Sequence, residues 1–128
     1  MPADTESDAV TLIQSPPPVI FEDERDPREI RVRGGDSGGD KSPTNPEKLA
    51  KSILHVLRQF DHVRVLTVGP KAMHIAMRAY RIAKSEVAML TDGIILVCTQ
   101  SEYTTLINEN STTGVCTRIF PIPIKFAL

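Results

Sequence analysis

Two short stretches of this 128-residue chain carry the residue types that could hold a phosphate. Gly69-Pro70-Lys71 opens a run of helical periodicity, and Lys41-Ser42-Pro43-Thr44 precedes another. A helix amino terminus presents N–H groups with no partner inside the helix and the positive end of the dipole, so an anion is favoured there. Lys71 and Lys41 each add a full charge at those points, with Ser42 beside Lys41. Arg31, Arg33, Arg78 and Arg81 supply further positive charge nearby. Chemistry of this kind neutralises a phosphate backbone and reads no bases. The same residues are equally the components of ordinary helix caps with solvated lysines.

Nothing comparable supports covalent or acid–base catalysis. His55, His62 and His74 stand singly. The chain has no His-Glu-x-x-His pair, no Gly-x-Ser-x-Gly elbow and no Gly-x-x-x-x-Gly-Lys phosphate loop. Cys98 and Cys116 are isolated within apolar runs and form neither a Cys-x-x-Cys pair nor a Cys/His cluster. They read as reduced structural thiols of a cytosolic-type compartment. The expectation is a non-enzymatic protein without cofactor or metal.

The elements that must position the basic residues follow from periodicity. Glu29 to Arg33 alternates, with Ile30 and Val32 on one face and Arg31 and Arg33 on the other, which predicts a short half-buried strand. A Gly-rich loop over 34–40 leads to Thr44-Asn45-Pro46-Glu47, a capped helix start. Leu49, Ile53, Val56, Leu57 and Phe60 form the apolar stripe of that helix. The run from Val63 to Val68 is β-branched and short, as in a buried strand. Gly69 turns the chain, and Ala72, Ile75, Ala76, Ala79, Ile82 and Ala83 then recur at helical spacing. After a turn at 91–93, Ile94-Ile95-Leu96-Val97-Cys98 predicts a strand covered on both faces. That strand continues to Ile107, Asn108-Glu109-Asn110 reads as a hairpin tip, and 113–120 is the return strand. Pro121 and Pro123 cannot donate ladder hydrogen bonds, so they belong at a sheet edge or beyond it. The sum is β-α-β-α-β-β: an α/β (α+β two-layer) fold, a mixed sheet with two helices on one face. The basic helix starts then lie at the carboxyl ends of neighbouring parallel strands.

Charge divides the chain into two parts, an expected acidic, disordered tail over 1–27 and a single domain over 28–128. The tail carries seven acidic residues against one basic, a net −6, and the remainder fourteen basic against nine acidic, a net +5. Such a tail cannot bury enough apolar surface to offset its ordering entropy. Its one apolar cluster, Val19-Ile20-Phe21, runs straight into Glu22-Asp23-Glu24. No basic-then-apolar leader opens the chain and no apolar run approaches a membrane span, so a cytoplasmic protein without membrane association is expected.

Residues 29–124 resemble the stage V sporulation protein S family and, more distantly, the Alba superfamily of nucleic-acid-binding proteins. The resemblance rests on Lys41-Ser42-Pro43-Thr44-Asn45 and then Leu49-Ala50, Ile53 and Val56-Leu57-Arg58. It continues through Val65, Val68-Gly69-Pro70, Ala72, Ala76, Ala79 and Ile82-Ala83 to Gly93-Ile94-Ile95-Leu96-Val97-Cys98 and the hairpin after it. The resemblance implies an Alba-like fold and a non-enzymatic, nucleic-acid-binding or regulatory protein, often dimeric. It also implies that Lys41 lies in the loop that meets the phosphate backbone, where Alba-like proteins have a basic-Pro pair and this chain has Ser42 between Lys41 and Pro43. Gly69-Pro70-Lys71-Ala72 stands where those proteins have a Gly-basic-x-Ala turn. The hairpin departs from the pattern: its 103–113 segment has no Lys or Arg and is flanked by Glu102.

Two functions follow. The first is a small cytoplasmic protein that binds DNA or RNA and regulates gene expression or development, contacting phosphates through Lys41, Ser42 and Lys71 with Arg31, Arg33, Arg78 and Arg81 in support. The second is a protein-interaction module that dimerises without binding nucleic acid, which the low net charge and the acidic hairpin, with Glu102 and Glu109, favour. In either case a homodimer is expected, because the Ala-rich helix and the apolar base of the hairpin leave more apolar surface than two helices cover.

Overall fold

The structure, a computed structural model, describes residues 19–20, 26–35 and 42–124. Lys41, most of the acidic tail and the Gly-rich residues 36–40 lie outside the described residues. In chain order the strands are β1 (Val19–Ile20), β2 (Glu29–Arg31), β3 (Val63–Thr67), β4 (Ile94–Ile107) and β5 (Asn110–Pro123). The helices are α1 (Pro46–Gln59) and α2 (Pro70–Leu90). The sheet runs in the order β1-β4-β5-β3-β2. β2 pairs parallel with β3, and β5 pairs antiparallel with both β3 and β4. This is the expected β-α-β-α-β-β mixed sheet, with β1 as an added edge.

Each helix starts for a local reason. The Asn45 Oδ1 accepts hydrogen bonds from the Glu47 and Lys48 N–H groups at 2.9 and 3.1 Å, and Pro46 occupies the first turn of α1. Gly69 enters α2 at φ 88°, in the left-handed region that other residues adopt only with strain, and Pro70 follows. α1 buries Leu49, Ala50, Ile53 and Val56; α2 buries Ala72, Ala76, Ala79 and Ala83. These small side chains let α2 lie close to its neighbours. Leu57, Ile75 and Ile82 flank the core as half-buried residues, and Phe60 lies just past the end of α1.

One face of the sheet receives both helices. Val63, Val65, Leu96 and Ile119 point into that layer and are almost wholly buried. The opposite face has no second layer among the described residues. The expectation that 94–98 is covered on both faces therefore fails: Leu96 on the helix side is buried, whereas Ile95 and Val97 on the opposite face are only half-buried. Cys98 and Cys116 are both free thiols. Their registers, opposite Ile119 and Leu66, put them on different faces of the sheet.

The prolines sit where their missing donors cost nothing. Ile124 N–H donates to Gly93 O at 2.7 Å, so even-numbered residues at this end of β5 bond to β4. Pro121 and Pro123 face the other way, past the point where the β3 ladder ends at Val63 opposite Ile119. Beyond the other end of β3, where Thr67 pairs with Val115, the hairpin continues as an arm about 17 Å long. Its two-residue turn holds Asn108 and Glu109 at φ 51° and 67°, the handedness that matches strand twist. Val19–Ile20 lies within the stretch read from sequence as tail, yet it pairs parallel with Thr104 and Thr105 on the arm.

Candidate nucleic-acid interface

Because β2, β3 and β4 run the same way, the ends of β2 and β3 and the tip of the arm lie at one end of the sheet. Both helices are entered from that end. The entry to α1 is pinned by a two-bond clasp. Arg33 N–H donates to Thr44 Oγ1 at 2.8 Å, and Thr44 N–H donates to Arg33 O at 2.9 Å. Ser42 follows the undescribed Lys41 and is exposed. The entry to α2 follows directly from β3, and Lys71 is exposed in its first turn. The Gly69 N-cap has no side chain to satisfy the first N–H groups of α2, in contrast to Asn45 on α1.

The other basic residues divide between two surfaces. Lys71, His74, Arg78 and Arg81 recur at three- and four-residue intervals and are all exposed, opposite the buried alanines of α2. They form one stripe about 15 Å long on the outside of that helix. Arg31 and Arg33 instead line an open groove of about 1130 Å³ beside α1. Lys51, His55 and Arg58 line the same groove, and sequence reasoning did not assign them a role. Their spacing of four and three residues on the exposed side of α1 was a readable signal, but their meeting with β2 depends on how α1 packs. Arg78 and Arg81 do not line this groove.

Two further arginines are committed elsewhere. Arg28 and Arg64 both hold Asp26, at 2.7 and 2.9 Å, and Arg64 also reaches Glu29 at 3.2 Å. The hydrogen bonds from Arg28, with the charge of Arg64 behind them, hold the Asp26 carboxyl well below the usual carboxylate range. Asp26 thus ties the end of the acidic stretch to β3. On the face away from the helices Tyr103 is buried over Gly114, and its hydroxyl lies 3.4 Å from Thr67 O. Burial pushes the Tyr103 hydroxyl and the Cys116 thiol up, so neither is a ready nucleophile. Among the described residues no cluster of His, Cys, Asp and Glu could hold a metal ion, and no helix is long and apolar enough to cross a membrane.

The sequence profile of the family described as Stage V sporulation protein S (SpoVS) matches residues 41–122, well over half of the chain. The chain belongs to the stage V sporulation protein S family. The match begins at Lys41 and runs to Ile122 in β5, so it takes in both helix entries and the whole hairpin arm. It leaves out β2 and the acidic stretch before it. As a SpoVS member the protein is a small sporulation-related one. No curated protein matches the chain.

Proposed function

We propose that this SpoVS member is a small, cytoplasmic, non-enzymatic protein that binds nucleic acid through the phosphate backbone and regulates gene expression or development. The observation that carries the reading is the parallel pairing of β2 and β3, which brings both helix entries to one end of the sheet. There Ser42 and Lys71 are exposed, with Lys41 adjoining Ser42 in the chain. Arg31 and Arg33 stand at the edge strand, and Arg78 and Arg81 continue from Lys71 along α2. The arm at this end has no Lys or Arg over 103–113, so the basic surface lies on the helix entries and α2, which favours backbone contact over base readout. DNA and RNA share the chemistry such a surface recognises.

The same reading includes a homodimer. Met89, Leu90, Ile94 and Ile124 are 85, 73, 41 and 51% exposed and gather around the turn that joins α2 to β4, at the end away from the helix entries. That placement leaves the basic end open in an assembled pair.

The test is fluorescence anisotropy of labelled oligonucleotides with the full-length protein at about 50 and about 200 mM salt, where backbone binding weakens steeply. The expected result is salt-sensitive binding that Lys71→Glu and Lys41→Glu each weaken without loss of helical signal. Binding that neither substitution changes at the lower salt removes the assignment of these loops. A protein that forms dimers and binds no oligonucleotide is the interaction module instead.

A further inference from the structure

The groove between β2 and α1 has a composition that the helix entries do not explain. Lys51, His55 and Arg58 from α1 and Arg31 and Arg33 from β2 and its continuation make up its basic lining. Glu29 and Glu86 are the acidic groups on it, and Glu29 is drawn toward Arg64 at 3.2 Å. Ile30, Leu54 and Val56 supply its apolar lining. At one end lie Arg33 and Thr44, the two residues that clasp the entry to α1. The groove therefore leads away from the loop that precedes α1 and follows that helix toward Arg58, a run of about 10 Å from Lys51.

Resting on the nucleic-acid reading, we propose that this groove is the track of a single-stranded nucleic-acid segment. The strand passes from the α1 entry along the β2 edge to Arg58. Mixed lining is the reason for a single strand. A duplex presents its phosphates outward and keeps its bases inside, so it can meet the basic side chains but leaves Ile30, Leu54 and Val56 without a partner. An unpaired strand offers both surfaces, phosphates to Lys51, Arg58 and Arg33, and sugar and base faces to the apolar residues; Arg31 is an edge residue whose register with Leu66 turns its side chain to the other face of the sheet. The groove has no Phe, Tyr or Trp among its lining residues, and His55 is the one ring on which a base could stack, so sequence preference should be slight. An open trough of this length also suits a chain better than a compact small molecule, which is usually enclosed on most sides. Arg78 and Arg81 on α2 lie off this track.

The experiment uses the full-length protein with two labelled probes, an unstructured single strand of about twelve nucleotides and a blunt duplex of the same length. Lys51 and Arg58 are exposed and make no hydrogen bond or ion pair that holds the fold together, so Lys51→Glu/Arg58→Glu should keep the wild-type circular dichroism. The wild type should prefer the single strand. The double variant should lose tenfold or more of that affinity, and its plot of log affinity against log salt should be shallower by about 1.4, two contacts at about 0.7 each. Lys71→Glu serves as the control for the underlying reading. If the wild type binds and Lys71→Glu weakens it while the double variant stays within twofold, the groove is not the track and the nucleic-acid reading stands. Equal or stronger binding of the duplex also overturns the single-strand track. If the wild type binds neither probe at low salt, the nucleic-acid reading and the track fall together.

Discussion

Replacing Gly114 with alanine should unfasten the hairpin arm from the body of the sheet. A Cβ at this position would meet the Thr67 carbonyl oxygen and lie 2.7 and 2.8 Å from two ring carbons of Tyr103. Those distances are too short for any real methyl contact, and the Thr67 oxygen is backbone that cannot step aside by itself. The ring has to leave, and the strands carrying Gly114 and Thr67 have to part as well, so the loss of the ring sets the lower bound of the cost. Tyr103 is 4% exposed, and a buried tyrosine covers on the order of 150 Å² or more, so its release costs about 2–4 kcal/mol. The hydroxyl contributes little, because its contact with Thr67 O is long, and Tyr103→Phe should cost under about 1 kcal/mol. Urea unfolding followed by circular dichroism gives the midpoint shift directly. The cycle with Tyr103→Ala separates clash from packing. Once the ring is gone the added methyl has only Thr67 to meet, so the two substitutions together should cost at least about 1 kcal/mol less than their sum. A Gly114→Ala protein within about 0.5 kcal/mol of wild type, or strictly additive costs, would refute the argument.

Asp26→Asn should cost about 1–2 kcal/mol at neutral pH, since it replaces a carboxylate held by Arg28 and Arg64. Because the folded carboxyl titrates below its unfolded value, its contribution is complete above the usual carboxylate range and disappears as pH falls through the lowered folded value. The gap in denaturation midpoint between wild type and variant should therefore narrow steadily as pH falls below the usual carboxylate range. Neutralising Glu22, Asp23 and Glu24 as Gln, Asn and Gln, with Asp26 retained, should tighten oligonucleotide binding, with a gain that shrinks as salt rises; a tethered competitor acts at an effective concentration on the order of millimolar. Identical affinities across a salt series would make that segment a solvated linker. Multi-angle light scattering should give twice the 14.1 kDa chain mass at micromolar concentration, and Leu90→Glu with Ile94→Glu should return the monomer.

The order of elements was legible because local signals agree. Asn45-Pro46-Glu47 caps α1, and at Gly69-Pro70 the period changes from strand to helix, which fixed β3, α2 and the crossover between them. Contacts that depend on placement were not legible. Val19–Ile20 is too short to show a periodicity, and its pairing with Thr104 and Thr105 exists only because the arm offers an edge there. Tyr103 reads as part of a polar hairpin, and its burial follows from a register that sets it opposite a residue without a side chain. Ile94 to Cys98 reads as a doubly covered strand because a continuous apolar run looks the same whether its second face is packed or merely half-shielded. The site divides in the same way. The charges on Arg31, Arg33 and α2 could be read from sequence, whereas the meeting of Arg31 and Arg33 with Lys51, His55 and Arg58 required α1 to be laid beside β2.

The position of β5 has a consequence for how the molecule is made. It is the last of the described strands in the chain and the middle one of the sheet, bonded to β3 on one side and β4 on the other. While the chain is being synthesised, β2, α1, β3 and α2 can gather early, but β3 then presents a bare ladder edge until residues 115–119 arrive. Closure of the sheet is a late, non-local event, and its rate is set by that final insertion rather than by the fast helices. A ribosome pausing within the hairpin would hold the nascent protein in its most association-prone form, with an unsatisfied strand exposed to any neighbouring chain that can supply the missing partner.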